Sequence, residues 1–102
     1  MRRVKVFQFV ADPGHGWLRV PRCMLHELGI ERRVSTCSYQ IRENSEFVWL
    51  EEDCDASLFF NMYVEKYGDR PVIKYRHTNR DAAMRRYLRY ACSLEEVIKC
   101  GK

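Results

Sequence analysis

"RRVKVFQFVADPGHGWLRVPRCMLHELGI", residues 2–30, decides how this chain folds. Its first ten residues alternate. Val4, Val6 and Gln8 fall on one side, and Arg3, Lys5, Phe7 and Phe9 on the other. A period of two, filled with Val and Phe, predicts a strand. "DPGHG" (12–16) then reads as a turn: Asp12 suits its opening position, Pro13 presets its own φ, and Gly14 and Gly16 tolerate positive φ. "WLRV" (17–20) resumes the strand pattern, so the segment is a β-hairpin with His15 at its tip. Pro21 suits the first position of a helix, where its missing N–H costs nothing. Met24, Leu25 and Leu28 form the apolar stripe of that short helix. Gly29 is suited to the left-handed position after it, with Ile30 folding back onto the last turn.

The same reading extends outward. "VSTCSYQIR" (34–42) alternates with Cys37, Tyr39 and Ile41 on one face, "ENS" (43–45) is a turn, and "EFVWLEE" (46–52) is a strand, giving a second hairpin. "EEDCDASLFFNMYVEKYG" (51–68) is the principal helix. Asp53 or Asp55 is expected to cap it, the carboxylates near its start complement the helix dipole, and Leu58, Phe59, Met62, Tyr63 and Tyr67 line its buried side up to Gly68. "RPVIKYRHT" (70–78) is a further strand. "NRDAAMRRYLRYA" (79–91) sets Met84, Tyr87, Leu88 and Ala91 at helical spacing, with Arg85, Arg86 and Arg89 on the other side. "SLEEVIKCGK" (93–102) is a last helix, with Ser93 and Glu96 at the spacing of a capping box. The expected fold is therefore one α+β domain over residues 1–102: a mainly antiparallel sheet of about five strands, from two hairpins plus one strand, with helices packed on one face.

Composition bounds the function. With 46% hydrophobic and 31% charged residues in 102, the chain has the balance of a globular domain rather than a disordered one. The basic N-terminus lacks a signal-peptide pattern, because its apolar run is broken by Lys5 and Gln8 and no small-residue cleavage site follows. No stretch approaches a membrane span. A cytoplasmic protein is expected. Its five cysteines, an odd number without a C-x-x-C pair, fit reduced thiols better than a disulfide scaffold. Cys23 and His26 are the one local pair with metal-ligand spacing. A zinc site there needs a second pair, for which His15, Cys37 or His77 would have to converge. No metal and no cofactor is expected.

Charge is segregated along the chain. Residues 1–42 carry eight Lys/Arg and three acids, residues 43–65 carry seven acids and no Lys/Arg, and residues 66–102 carry ten Lys/Arg and four acids. An acidic middle between basic flanks can steer a charged partner, or neutralise itself if the segments lie side by side. Three groups of candidate residues follow. His15, exposed by its glycines, with Trp17 behind it, suits a contact loop. Glu51, Glu52, Asp53 and Asp55 are explained by helix capping, or alternatively form an oxygen-rich cation site. Arg76, Arg80, Arg85, Arg86 and Arg89, interleaved with Tyr75, His77, Tyr87 and Tyr90, offer cations for phosphates and rings for stacking. A basic residue set alone is also the pattern of a solvated face, and the acidic middle repels phosphate. No Walker loop, dinucleotide fingerprint, G-x-S-x-G elbow or HExxH helix is present, and no catalytic set assembles from the sequence.

"DPGHGWLRVPRCMLHELGI", "STCSYQ" and "VWLEEDCDASLF" together resemble a group of small uncharacterised phage, prophage and plasmid proteins with the pattern HGWLxVP…LGI…SYQ…LEEDxDA. The resemblance covers about residues 12–60, and "YRHTNR" extends it less clearly. The group has no established activity, so no catalytic residue is carried over. What the resemblance implies is context: a mobile-element accessory protein that binds host proteins, including defence complexes such as CRISPR–Cas or restriction systems.

The expectation is thus a non-enzymatic module that binds a host protein or ribonucleoprotein complex through His15, Trp17, Glu51, Glu52 and Asp55 or through its arginines. A nucleic-acid-binding regulator using the basic C-terminal segment is the alternative, and a small metal-dependent hydrolase using His15 and the acidic group is the third reading. A membrane is not an expected partner. Oligomeric state is open, a homodimer included.

Overall fold

In the computed structural model the described residues are 6–42, 45–79 and 87–90. The beginning of the first expected strand (2–5), most of the turn at 43–45, the arginine-bearing stretch 80–86 and the expected C-terminal helix (93–102) lie outside them.

The opening segment folds as its pattern dictates. Strand β1 (Val6–Ala11) and strand β2 (Gly16–Pro21) form an antiparallel hairpin, with Phe9 opposite Leu18 and Val10 opposite Trp17. Pro21 closes β2 and stands at the N-cap of helix α1 (Arg22–Glu27), one position earlier than expected. Its φ of −65° and ψ of 137° keep it extended while the helix begins at Arg22. Gly29 and Gly68 do adopt left-handed φ, at 70° and 79°. Gly14 and Gly16 do not, and Gly16 is required for another reason: a Cβ there would lie 2.4 Å from Cζ of Phe9. At Gly16 the turn needs glycine for space, not for its φ.

The second hairpin is shorter than its alternation predicts. Strand β3 is only Tyr39–Gln40, and it pairs with strand β4 (Phe47–Glu51). A π-helical turn (Glu52–Ala56) leads from β4 into helix α2 (Ser57–Tyr67). Strand β5 (Val72–His77) follows, and strand β6 (Leu88–Arg89) pairs with β3. The helix expected across 79–91 therefore does not include Leu88 and Arg89. They extend along Tyr39 and Gln40, and the backbone N–H of Tyr90 donates to the Ser38 carbonyl at 2.7 Å.

Among the described residues the sheet has six strands, not the five expected, because Leu88–Arg89 adds an edge strand, and they run in the order β5-β1-β2-β4-β3-β6. The fold class is α+β as expected, but the sheet is mixed. β1 and β4 both run antiparallel to β2, and so in the same direction. Helix α2 carries the chain back from the end of β4, so β5 enters in that direction too and pairs with β1 in parallel. A helical crossover thus overrides an all-antiparallel reading of short alternating strands.

Both helices contribute to one core on one face of this sheet. Phe7, Leu18, Val20, Val48 and Leu50 meet Met24, Leu25 and Leu28 of α1 and Phe59 and Tyr63 of α2. Phe7 and Phe59 pack edge-to-face with centroids 5.3 Å apart. The opposite face holds a second, smaller cluster of Val10 and Trp17, with Tyr39, Trp49 and Tyr87 against it. Residues of this face include Glu51, which lies directly opposite Trp17. That register brings the end of β4 beside the tip of the first hairpin.

Candidate functional site

His15 is fixed at its tip by Asp12. The Asp12 carboxylate accepts from the backbone N–H of Gly14 at 3.0 Å and of His15 at 2.9 Å, and the Asp12 N–H donates to the His15 carbonyl at 2.8 Å. Asp12 is itself buried. Such an Asx turn restrains the backbone of the residue that carries the imidazole. His15 Nδ1 then lies 3.2 Å from Oε2 of Glu51; the histidine side chain is 49% exposed and the glutamate 8%.

Glu51 is the hub. Its Oε1 accepts from the backbone N–H of Asp53 at 2.8 Å and of Cys54 at 3.0 Å, so it caps the π-helical turn, a role expected of Asp53 or Asp55. Its own N–H donates to Oγ of Ser38 at 3.0 Å. One carboxylate oxygen thus organises the turn and the other faces the histidine. Asp55 plays a different part. It is 2% exposed, and its carboxylate accepts from Ser35 N–H at 3.0 Å, Ser35 Oγ at 2.8 Å and Ser38 Oγ at 2.5 Å. It clamps the 35–38 loop onto the turn and is not a surface for a partner.

That clamp brings two thiols together. Cys37 Sγ and Cys54 Sγ are 3.1 Å apart. The Cys54 thiol is pushed up to about 12, chiefly because it hydrogen-bonds the Cys37 sulfur, with the Glu51 carboxylate adding to the effect. A thiol so held is protonated at neutral pH and is a poor nucleophile.

These groups line a cleft of about 340 Å³. His15, Glu51 and Asp53 supply imidazole and carboxylates, Cys37 and Cys54 supply sulfur, and Trp17, Tyr39 and Arg89 complete the lining. The Trp17 ring is 6.0 Å from His15 and 6.1 Å from Tyr39, centroid to centroid, and the Arg89 guanidinium lies 4.9 Å from the Tyr39 ring. Arg89 also donates to the Thr36 carbonyl at 3.1 Å. The cleft therefore combines an imidazole–carboxylate pair, a second carboxylate and a single cation from the far end of the chain.

Five residues singled out in the sequence converge here: His15, Trp17, Glu51, Asp53 and Arg89. Trp17 does so as framework, being 2% exposed. Glu52 is exposed beside the hairpin tip, its carboxyl carbon 3.2 Å from where a Cβ on Gly16 would stand. Arg76 is exposed on β5, at the edge of the sheet. Arg80, Arg85 and Arg86 lie outside the described residues. Cys23 is exposed, and His26 pairs with Glu31 at 2.9 Å, so that spacing assembles no metal site among the described residues. The cleft members the sequence did not single out are Cys54 and Tyr39, and Cys37 entered only as a possible partner for Cys23 and His26. Their only signal is the short spacing from Glu51 and the alternation of 34–42, which cannot reveal that a buried Asp55 draws the two segments together.

No protein-family model, curated protein or solved structure matches this chain. Among the described residues no helix is long and apolar enough to cross a membrane. The functional reading therefore rests on the cleft.

Proposed function

We propose that this chain is a small binding module of a mobile element that engages a host protein or ribonucleoprotein complex through the His15–Glu51 cleft, as an inhibitor of a defence system. The observation that supports it is the convergence of His15, Glu51, Asp53 and Arg89, from three distant segments, on one cleft backed by the sheet. An Asx turn, a capped π turn and a buried clamp hold the cleft's walls, and recognition groups on restrained backbone lose little entropy on binding. Of the two thiols lining the cleft, Cys54 is held protonated by its contact with Cys37, which favours recognition over nucleophilic chemistry by that sulfur. The resemblance of residues 12–60 to phage and plasmid proteins supports the mobile-element context.

Exposed acids of this region, Glu52 and Asp53, are the groups that would mimic phosphates. Glu51 and Asp55 serve the fold, so charge reversal there would report folding instead of contact. A second reading, nucleic-acid binding, draws on β5, which sets Tyr75, 76% exposed, between exposed Lys74 and Arg76 on an edge strand. Capture from bacterial lysate with and without nuclease separates the two. A protein partner retained at stoichiometric yield after nuclease supports the module reading. Nucleic acid alone, with proteins lost on nuclease treatment, overturns it in favour of the second.

A further inference from the structure

We infer that His15, Glu51 and Asp53 form a binding site for a divalent transition-metal ion, with zinc the best-matched ion. One ligand atom from each of the three lies within 4.8 Å of the other two. The set is not a patch of surface acids. It joins an imidazole from the β1–β2 turn to carboxylates 36 and 38 positions further along the chain, and it opens on a cleft of about 340 Å³ with room for waters to complete the shell. The 3.2 Å between His15 Nδ1 and Glu51 Oε2 is close to the roughly 3.3 Å edge of a tetrahedron with bonds of about 2.0–2.1 Å. Asp53 offers a carboxylate oxygen within 4.8 Å of both, and its exposed side chain is free to close the third position.

The surroundings are those of an oriented ligand. Glu51 commits Oε1 to two backbone N–H groups, which fixes the direction of Oε2. Backbone donors on the second oxygen are the kind of outer contact that holds a metal-binding carboxylate in place. The ion would sit between the imidazole nitrogen and the carboxylate oxygen, which lie 3.2 Å apart. Nitrogen with two oxygens favours zinc, manganese or iron(II) over calcium and magnesium, which take oxygen alone. Neither sulfur of the neighbouring dithiol falls within the 4.8 Å group, although Glu51 also acts on the Cys54 thiol. The inference does not depend on whether a macromolecule uses the cleft.

The test is a zinc titration of the full chain, with zinc sulfate alone, in competition with a chromogenic chelator. We expect one equivalent to bind in the micromolar range, and more tightly than magnesium. His15→Ala and Asp53→Asn, both at exposed positions, should each weaken it by about tenfold or more, while circular dichroism shows the fold unchanged. His26→Ala, which removes the other His–Glu pair, should leave affinity as it is. No binding by the full chain overturns the inference. So does binding that survives both cleft variants, or binding abolished by Cys37→Ser with Cys54→Ser but kept in His15→Ala, which would assign the ion to the thiols.

Discussion

Asp55 shows at the scale of one residue why a sequence understates its own site. As one acid among several it reads as a capping charge at a helix start. In the fold it is 2% exposed and accepts three hydrogen bonds from Ser35 and Ser38. Removing it leaves one buried and two part-buried donors without their acceptor, and hydrogen bonds to charged groups are the costly ones to lose. Asp55→Ala should lower stability by about 3 kcal/mol in a urea melt; a loss below about 1 kcal/mol would mean the clamp is not bearing on the fold. Cys54 gives a second residue-scale prediction. Its thiol is held up at about 12 first by its hydrogen bond to Cys37. Cys37→Ala should therefore speed alkylation of Cys54 by iodoacetamide at pH 8 by about tenfold or more, read peptide by peptide with exposed Cys23 as the reference. Equal rates in the two proteins would show that the contact does not hold the proton. The sign for stability follows from the same shift. The folded state keeps this proton more tightly than the unfolded chain, so the contribution is present at neutral pH and fades as pH rises from the ordinary thiol value towards 12.

Local elements were legible where one period dominated. The first hairpin, α1 and α2 follow from alternation, helical spacing and the glycines after each helix. The turn's glycines were assigned for the wrong physical reason. Gly16 has no left-handed φ; it admits the Phe9 ring, whose Cζ and Cε1 would stand 2.4 and 2.6 Å from an added Cβ. Both contacts are to one ring that also packs against the core, so it has little room to yield. Gly16→Ala should destabilise by about 1–3 kcal/mol, seen as a lower denaturant midpoint with an unchanged slope, and would displace His15 with it. A variant as stable as the parent would show that Phe9 moves freely. At the other end of the chain, tertiary pairing overrides local pattern. Leu88 and Arg89 sit at helical spacing in the sequence, yet β3 offers an open edge and they join it. A two-residue strand is too short to announce itself by alternation.

At the scale of the molecule, the helical crossover through α2 decides the sheet. It makes β5 a parallel edge strand, places Lys74, Tyr75 and Arg76 in the open, and leaves the acidic turn at the other end of β4 beside the hairpin tip. Long-range arrangement of this kind has no signature in local periodicity, and for the same reason the sequence could join His15 to the acidic group only as one reading among three, without showing that Glu51 is the acid that meets it. The charge blocks were legible, but their meaning was not. Of the acidic block, Glu51 and Asp55 are largely absorbed by the fold, and Glu52 and Asp53 are left facing outward.

The central claim is that the cleft, and not the basic edge, is the working surface. It is tested most directly by capture from bacterial lysate with two double variants beside the parent chain: His15→Ala with Asp53→Asn in the cleft, and Lys74→Glu with Arg76→Glu on β5. The account predicts that the nuclease-resistant partner disappears with the cleft variant and is retained by the edge variant at the parent's yield. Retention by the cleft variant, with loss from the edge variant, would contradict it.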